Sequence, residues 1–229
     1  MVLKLYGVPA SQPVRSVKWL LEMKNAQYEF VNVNPGSPKN GGTRSAEYLA
    51  KSPAGLIPLI EEDDGFLLWE SHAIMAYLCN KNGWDDLYPS DPKARGIVDQ
   101  WLHWHHTNVR KFTMALFAPV FRPDLKIPAE QQKADMKVLN NTCRILDDQL
   151  ARFKFVAGDN VTIADVAFYG ELGQMQEHYV GAFDFSPYKN LQAWLTRMAT
   201  LPKYEEVNYT LLVKLGKVYQ KLKAKKANL

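Results

Sequence analysis

The chain has 229 residues, nearly half of them apolar, yet no apolar stretch reaches the length that a membrane-spanning helix needs. Its formal charge of +4 is set by Lys214, Lys217, Lys221, Lys223, Lys225 and Lys226, which crowd the end of the chain with no acid among them. The rest holds 22 basic against 24 acidic residues, so the charge marks a solvated helix end and not a nucleic-acid-binding face.

Leu3 to Tyr6 reads as a short strand that begins almost at Met1, so no secretory leader is expected. A turn follows, and Pro13 stands at a first-turn position where its missing N–H costs nothing. Val14 to Lys24 reads as a helix burying Val17, Leu20 and Leu21. Tyr28–Val33, Leu56–Glu61 and Phe66–Trp69 read as three further strands, with Asn34–Gly42 a loop rich in turn formers. Ala73 to Leu78 opens a second helix. Beyond Gly83–Pro92, dense in turn residues, only helical periodicity remains, at Ala94–Ala118, Ala129–Arg152, Ile163–His178, Leu191–Leu201 and Tyr209–Lys225. The expected organisation is an α/β domain over residues 1–82, a linker over 83–92, and an all-α domain over 93–229 whose basic last helix starts at about residue 209.

Two helix tips carry chemistry, and a third carries a folding signal. Ser11 stands at the mouth of a helix N-terminus, where unpaired N–H groups and partial positive charge favour an anion; its hydroxyl can cap the helix or donate to such an anion. Glu70-Ser71-His72-Ala73-Ile74 puts an acid and a hydroxyl at a second helix tip, as a cap or as a clamp. Thr162-Ile163-Ala164-Asp165 has a capping hydroxyl three residues ahead of an acid, a folding signal. Cys79 and Cys143 form no CxxC pair and have no metal-ligand spacing with the five histidines; a reducing, cytoplasmic setting is expected. His103, His105 and His106 fall on different helix faces, so no metal is expected.

In order and spacing, Ser11-Gln12-Pro13, Ile57-Pro58, Glu70 to Ile74 and Thr162 to Asp165 resemble the glutathione S-transferase family over essentially the whole chain. Val98-Asp99-Gln100-Trp101-Leu102-His103-Trp104-His105 resembles the theta class of that family, of serine type. The resemblance implies a thioredoxin-like N-terminal domain and a helical C-terminal domain. It implies glutathione as co-substrate without a metal, and a transferase acting on hydrophobic electrophiles, with peroxides or halides as possible further substrates. Detoxification and a homodimer belong to the same implication.

By the resemblance, Ser11 is catalytic, with Tyr6 the alternative, since some classes use a tyrosine near the end of this strand. A free thiol with a pKa near ~8.5 is mostly protonated at neutral pH, and lowering it by about two units takes roughly 2.7 kcal/mol. A hydroxyl donating to sulfur beside a helix N-terminus is of that scale. Gln12, Ile57, Pro58, Glu70 and Ser71 would hold the tripeptide, Ile57-Pro58 as a cis-proline turn offering backbone to an extended peptide. The family's basic residues for the glycyl carboxylate are missing; Gly42-Thr43-Arg44 and Leu56 stand in their places, with Arg44 or Lys39 as substitutes. Trp104, Asn108, Arg110 and Phe117 would face the electrophile, Arg110 stabilising charge on a leaving group. The alternative of a different class is a non-catalytic binding or scaffold domain of the same fold.

Overall fold

The computed structural model describes residues 2–227; Met1, Asn228 and Leu229, which the expected domain ranges include, lie outside the described residues. Four strands form one sheet in the order β2-β1-β3-β4: β1 (Leu3–Gly7), β2 (Tyr28–Asn32), β3 (Leu59–Glu61) and β4 (Leu67–Trp69). β1 and β2 run parallel with Leu5 opposite Phe30, a pairing that needs a crossover; α1 (Gln12–Met23) is that crossover. β3 runs antiparallel to β1 and to β4, placing Ile60 between Leu5 and Leu68. This is the expected thioredoxin-like domain.

The strand expected from Leu56 begins only at Leu59, after a cis Ile57–Pro58 peptide; Pro58 has no N–H to give to a ladder. A short helix, α2 (Ala46–Lys51), follows the loop, its N-terminus capped by Ser45 Oγ accepting from the Tyr48 N–H. α3 (Ser71–Asn82) ends at Gly83, whose φ of +66 supplies the left-handed stop.

The second domain is helical: α4 (Pro92–Thr107), α5 (Ala118–Phe121), α6 (Ala129–Leu150), α7 (Ile163–Leu172), α8 (Lys189–Met198) and α9 (Thr210–Ala227). The single helix expected over Ala94–Ala118 breaks at Asn108, whose amide donates to the Trp104 carbonyl and competes with the helical ladder. A π-helical turn, Thr113–Phe117, and α5 with Pro119 in its first turn complete the segment. The helix expected to reach His178 stops at Leu172 and tightens into a 3-10 turn, Gly173–Met175.

α1 lies between the sheet and α7, and every residue of α7 is buried. The two helices approach at Gly170, where a Cβ would stand 2.6 Å from Ser16 Oγ; that oxygen donates 3.2 Å to the Val166 carbonyl of α7. Trp19 packs edge-on against Tyr169 and donates 2.9 Å to the Pro202 carbonyl. At the foot of α7 the Asp165 carboxylate, wholly buried, accepts from the Thr162 N–H and hydroxyl, the Val156 N–H and Trp194 Nε1, all within 3.1 Å. It fulfils the expected folding role and also ties α8 to α7.

Asp165→Ala strands three buried N–H donors and opens a cavity, so a loss of about 3 kcal/mol or more is expected in denaturant unfolding. An unchanged unfolding midpoint would show that water replaces the carboxylate at no cost.

Candidate active site

Ser11 is the N-cap of α1, with extended backbone angles, and its hydroxyl makes no capping bond and no other hydrogen bond among the described residues. An N-cap hydroxyl ordinarily satisfies a first-turn N–H; here it is left for another acceptor. Tyr6 differs. Its hydroxyl donates to Glu61 and accepts 3.1 Å from Lys51 Nζ, and Lys51 also pairs with Glu61 at 2.7 Å. Burial and the neighbouring carboxylate raise the Tyr6 pKa, and Tyr6 lines neither of the cavities described below. Of the two hydroxyls weighed from sequence, only that of Ser11 is open to a ligand.

Two adjoining cavities meet at Ile57 and Arg110. The larger, about 580 Å³, is walled by Ser11 and Gln12 at the tip of α1, by Arg44 and Gly55, and by Met114, Phe117, Phe121 and Leu215 from the helical domain. The smaller, about 190 Å³, is walled by Pro58, Glu70, Ser71, His72, His105, His106 and Glu171. Pro13, Leu56, Ile57 and Arg110 belong to both walls. Ile57 enters no backbone hydrogen bond among the described residues, which leaves its N–H and C=O to an extended ligand crossing between the cavities.

Glu70 is the N-cap of α3 at φ +74, in a region costly for a residue with a Cβ, and its carboxylate caps nothing. Ser71 Oγ makes no hydrogen bond among the described residues either. The plain capping reading of this pair therefore does not hold, and both groups face the smaller cavity. Gln12 is buried with its amide nitrogen unpartnered on the wall of the larger one. Arg44 is exposed there and makes no ion pair among the described residues.

Arg110 and Phe117 line the larger cavity; Trp104 and Asn108 line neither. The Trp104 ring stacks on Phe168 at 6.2 Å and meets Trp101 edge-on at 5.4 Å, while Asn108 is spent on the Trp104 carbonyl. Arg110, beyond the break after α4, reaches both cavities. Sequence reasoning missed Glu171, whose buried carboxylate accepts from Arg110 and from the Thr113 hydroxyl and holds Arg110 firmly charged. Leu215 joins the larger cavity's wall from α9. α9 lies so close that a Cβ on Gly216 would stand 2.1 Å from the Tyr179 carbonyl oxygen, and Tyr219 donates 3.1 Å to the Leu116 carbonyl, so Leu215 closes one side of the cavity. Cys79 is buried, and burial pushes its thiol up to about 12, which makes it inert at neutral pH.

Residues 5–85 match the family model "Glutathione S-transferase, N-terminal domain", and residues 109–202 match "Glutathione S-transferase, C-terminal domain". The chain is 34% identical to Glutathione S-transferase 1 of Manduca sexta over 219 residues, 91% of this chain and 93% of that protein. Among solved structures, it resembles a delta-class glutathione transferase of Nilaparvata lugens at 30% identity and a TM-score of 0.82, covering 96% of this chain and 99% of that one. It also resembles an epsilon-class glutathione S-transferase of Musca domestica at 34% identity and a TM-score of 0.80, covering 97% and 98%. The delta and epsilon names of these relatives, and not a theta name, are what the similarities carry.

Glycine tolerates the backbone that Glu70 adopts, so Glu70→Gly should leave the thermal midpoint unchanged or higher while removing the carboxylate. A loss of more than about 1 kcal/mol would mean that the carboxylate serves the fold. Glu61 is held below its ordinary value of 4.5 by its bonds from Lys51 and Tyr6. The stability it contributes is therefore present above that value and lost as pH falls through the lower folded pKa. Acid titration of Glu61→Gln should show a correspondingly flatter loss of stability over that range.

Proposed function

The chain belongs to the glutathione S-transferase family, and on that premise we propose that it is a serine-type glutathione transferase in which the Ser11 hydroxyl donates to the glutathione sulfur and holds it as thiolate. The observation that carries this reading is the Ser11 hydroxyl, free of any capping bond at the N-terminus of α1 and on the wall of the larger cavity. The helix N-terminus adds partial positive charge at the same point. Together the two stabilise an anion preferentially over a neutral thiol, which is what lowering a pKa requires.

The tripeptide would lie extended across both cavities along Ile57 and Pro58. Glu70, whose carboxylate is unspent, would meet the γ-glutamyl ammonium, and Ser71 with the first N–H groups of α3 the α-carboxylate. Gln12 would steady the backbone near the sulfur. Arg44, an unpaired cation on the larger cavity's wall, would take the glycyl carboxylate. The electrophile would rest against Met114, Phe117, Phe121 and Leu215, an apolar wall suited to hydrophobic compounds. The thiolate forms a carbon–sulfur bond as the leaving group departs with its bonding electrons; with an organic halide the leaving group is the halide ion. Arg110, kept charged by Glu171, would stabilise that departing charge.

Residues 1–82 are read as the tripeptide-binding unit and 93–229 as the unit that completes the electrophile wall, joined by 83–92. The theta-like character rests on the Val98–His105 segment alone. Hydroperoxides and small halides are further candidate substrates, since they draw on the same thiolate, and the reading extends to a cytoplasmic homodimer with a detoxifying role.

Ser11→Ala is expected to bind immobilised glutathione, to lose the thiolate absorbance of the bound tripeptide at neutral pH, and to lower kcat/KM toward an aryl halide about 100-fold. Wild-type protein that retains glutathione yet shows no thiolate and no conjugation would favour the scaffold reading.

A further inference from the structure

Beyond the open hydroxyls, the smaller cavity carries a feature that the glutathione reading does not use. His72 from the first turn of α3 meets His105 and His106 from the last turn of α4, with ring centroids 4.8 and 4.5 Å from that of His72. Their nearest ligand nitrogens all lie within 4.8 Å of one another. His103, considered with its neighbours in sequence, is exposed and outside the group. His72, from α3, supplies the third imidazole.

Stacking satisfies the ring faces but not the nitrogens. Both nitrogens of His105, which is only 5% exposed, and Nδ1 of His72 lack a partner of full hydrogen-bond geometry, with only the Ala167 and Leu102 backbones near the two rings. Buried polar atoms are nearly always well partnered, so poorly met nitrogens in one cluster leave room for a further group. Imidazole nitrogens are common ligands of transition ions, and these three lie together on the wall of one cavity.

We propose that His72, His105 and His106 form a three-histidine site for a divalent transition ion of the zinc, cobalt or nickel kind. Nitrogen donors select such ions over calcium or magnesium, which prefer oxygen. Tetrahedral zinc at 2.0–2.1 Å from each nitrogen sets those nitrogens about 3.4 Å apart, so the cluster has to close by at most about 1.4 Å. His106 is the exposed member of the three, in the last turn of α4, and its side chain is the one with room to make that movement. The fourth position opens into the smaller cavity, to water. The Arg110 charge that would oppose a cation there is neutralised by Glu171. The site shares the smaller cavity with the glutathione reading, which assigns none of the three imidazoles a role.

The test is a titration of the full chain, free of any histidine tag and stripped with chelator, with Co²⁺ followed by visible absorption and with Zn²⁺ followed by calorimetry. One ion per chain at a Kd tighter than about 100 μM is expected, with a rise in the thermal midpoint under excess Zn²⁺. His106→Ala, at an exposed position that keeps the fold, and His72→Gln should each weaken binding tenfold or more. Binding weaker than about 100 μM, or variants that hold the ion within tenfold of the wild type, would overturn the site. If His72→Gln does not fold, the comparison of His106→Ala with the wild type decides.

Discussion

The arrangement depends on a buried cation, Arg15, where α1 meets α7. Its guanidinium is 1% exposed and donates 2.8 Å to the Gly170 carbonyl, 3.3 Å to the Ala10 carbonyl and 3.4 Å to Gln174 Oε1. Burial lowers its pKa to about 10, with Glu171 opposing the fall, so the charge survives at neutral pH. Isolating such a charge from water costs several kcal/mol unless its donors are met. Ala10 in the turn before Ser11, Gly170 in α7 and the Gln174 side chain meet its terminal nitrogens, while Nε has no hydrogen-bond partner among the described residues. The peptide next to the open hydroxyl is thereby fastened to the helical domain.

The same carboxylate that balances Arg15 also holds Arg110. Thr113 donates to Glu171, and Gln174 reaches back to Thr113 at 3.4 Å. The π-helical turn, α7 and α1 thus share one polar network in an otherwise apolar interface. Its two cations differ in access: Arg15 is sealed, whereas Arg110 is half-open and reaches both cavity walls. Fixed polar groups arranged around an accessible cavity are how a protein stabilises charge without reorganising at the moment of reaction.

Much of this was legible in the chain. Pro13 and the apolar spacing of Val17, Leu20 and Leu21 announce α1, and local geometry alone then puts Ser11 at its N-terminus. Thr162 and Asp165 announce the start of α7 for the same local reason, though not the bonds from Val156 and Trp194 that reach the carboxylate from distant segments. The order of strands and helices identified the fold. Where expectation and structure part, a long-range or irregular feature is responsible: the break at Asn108, the stop at Leu172, and α2, six residues stabilised largely by one serine cap.

By itself, the sequence determined the elements, the helix tips with their hydroxyls, and the family resemblance, because capping, periodicity and turn chemistry act over a few residues. Only the tertiary structure decided which tips are open and which are spent. It separated Ser11 from Tyr6 through Glu61 and Lys51, turned Trp104 into packing, brought Glu171 to Arg110, and gathered His72 with His105 and His106. Each of these partners lies tens of residues away in the chain. No local pattern encodes them, since a side chain's availability depends on what the folded chain places beside it.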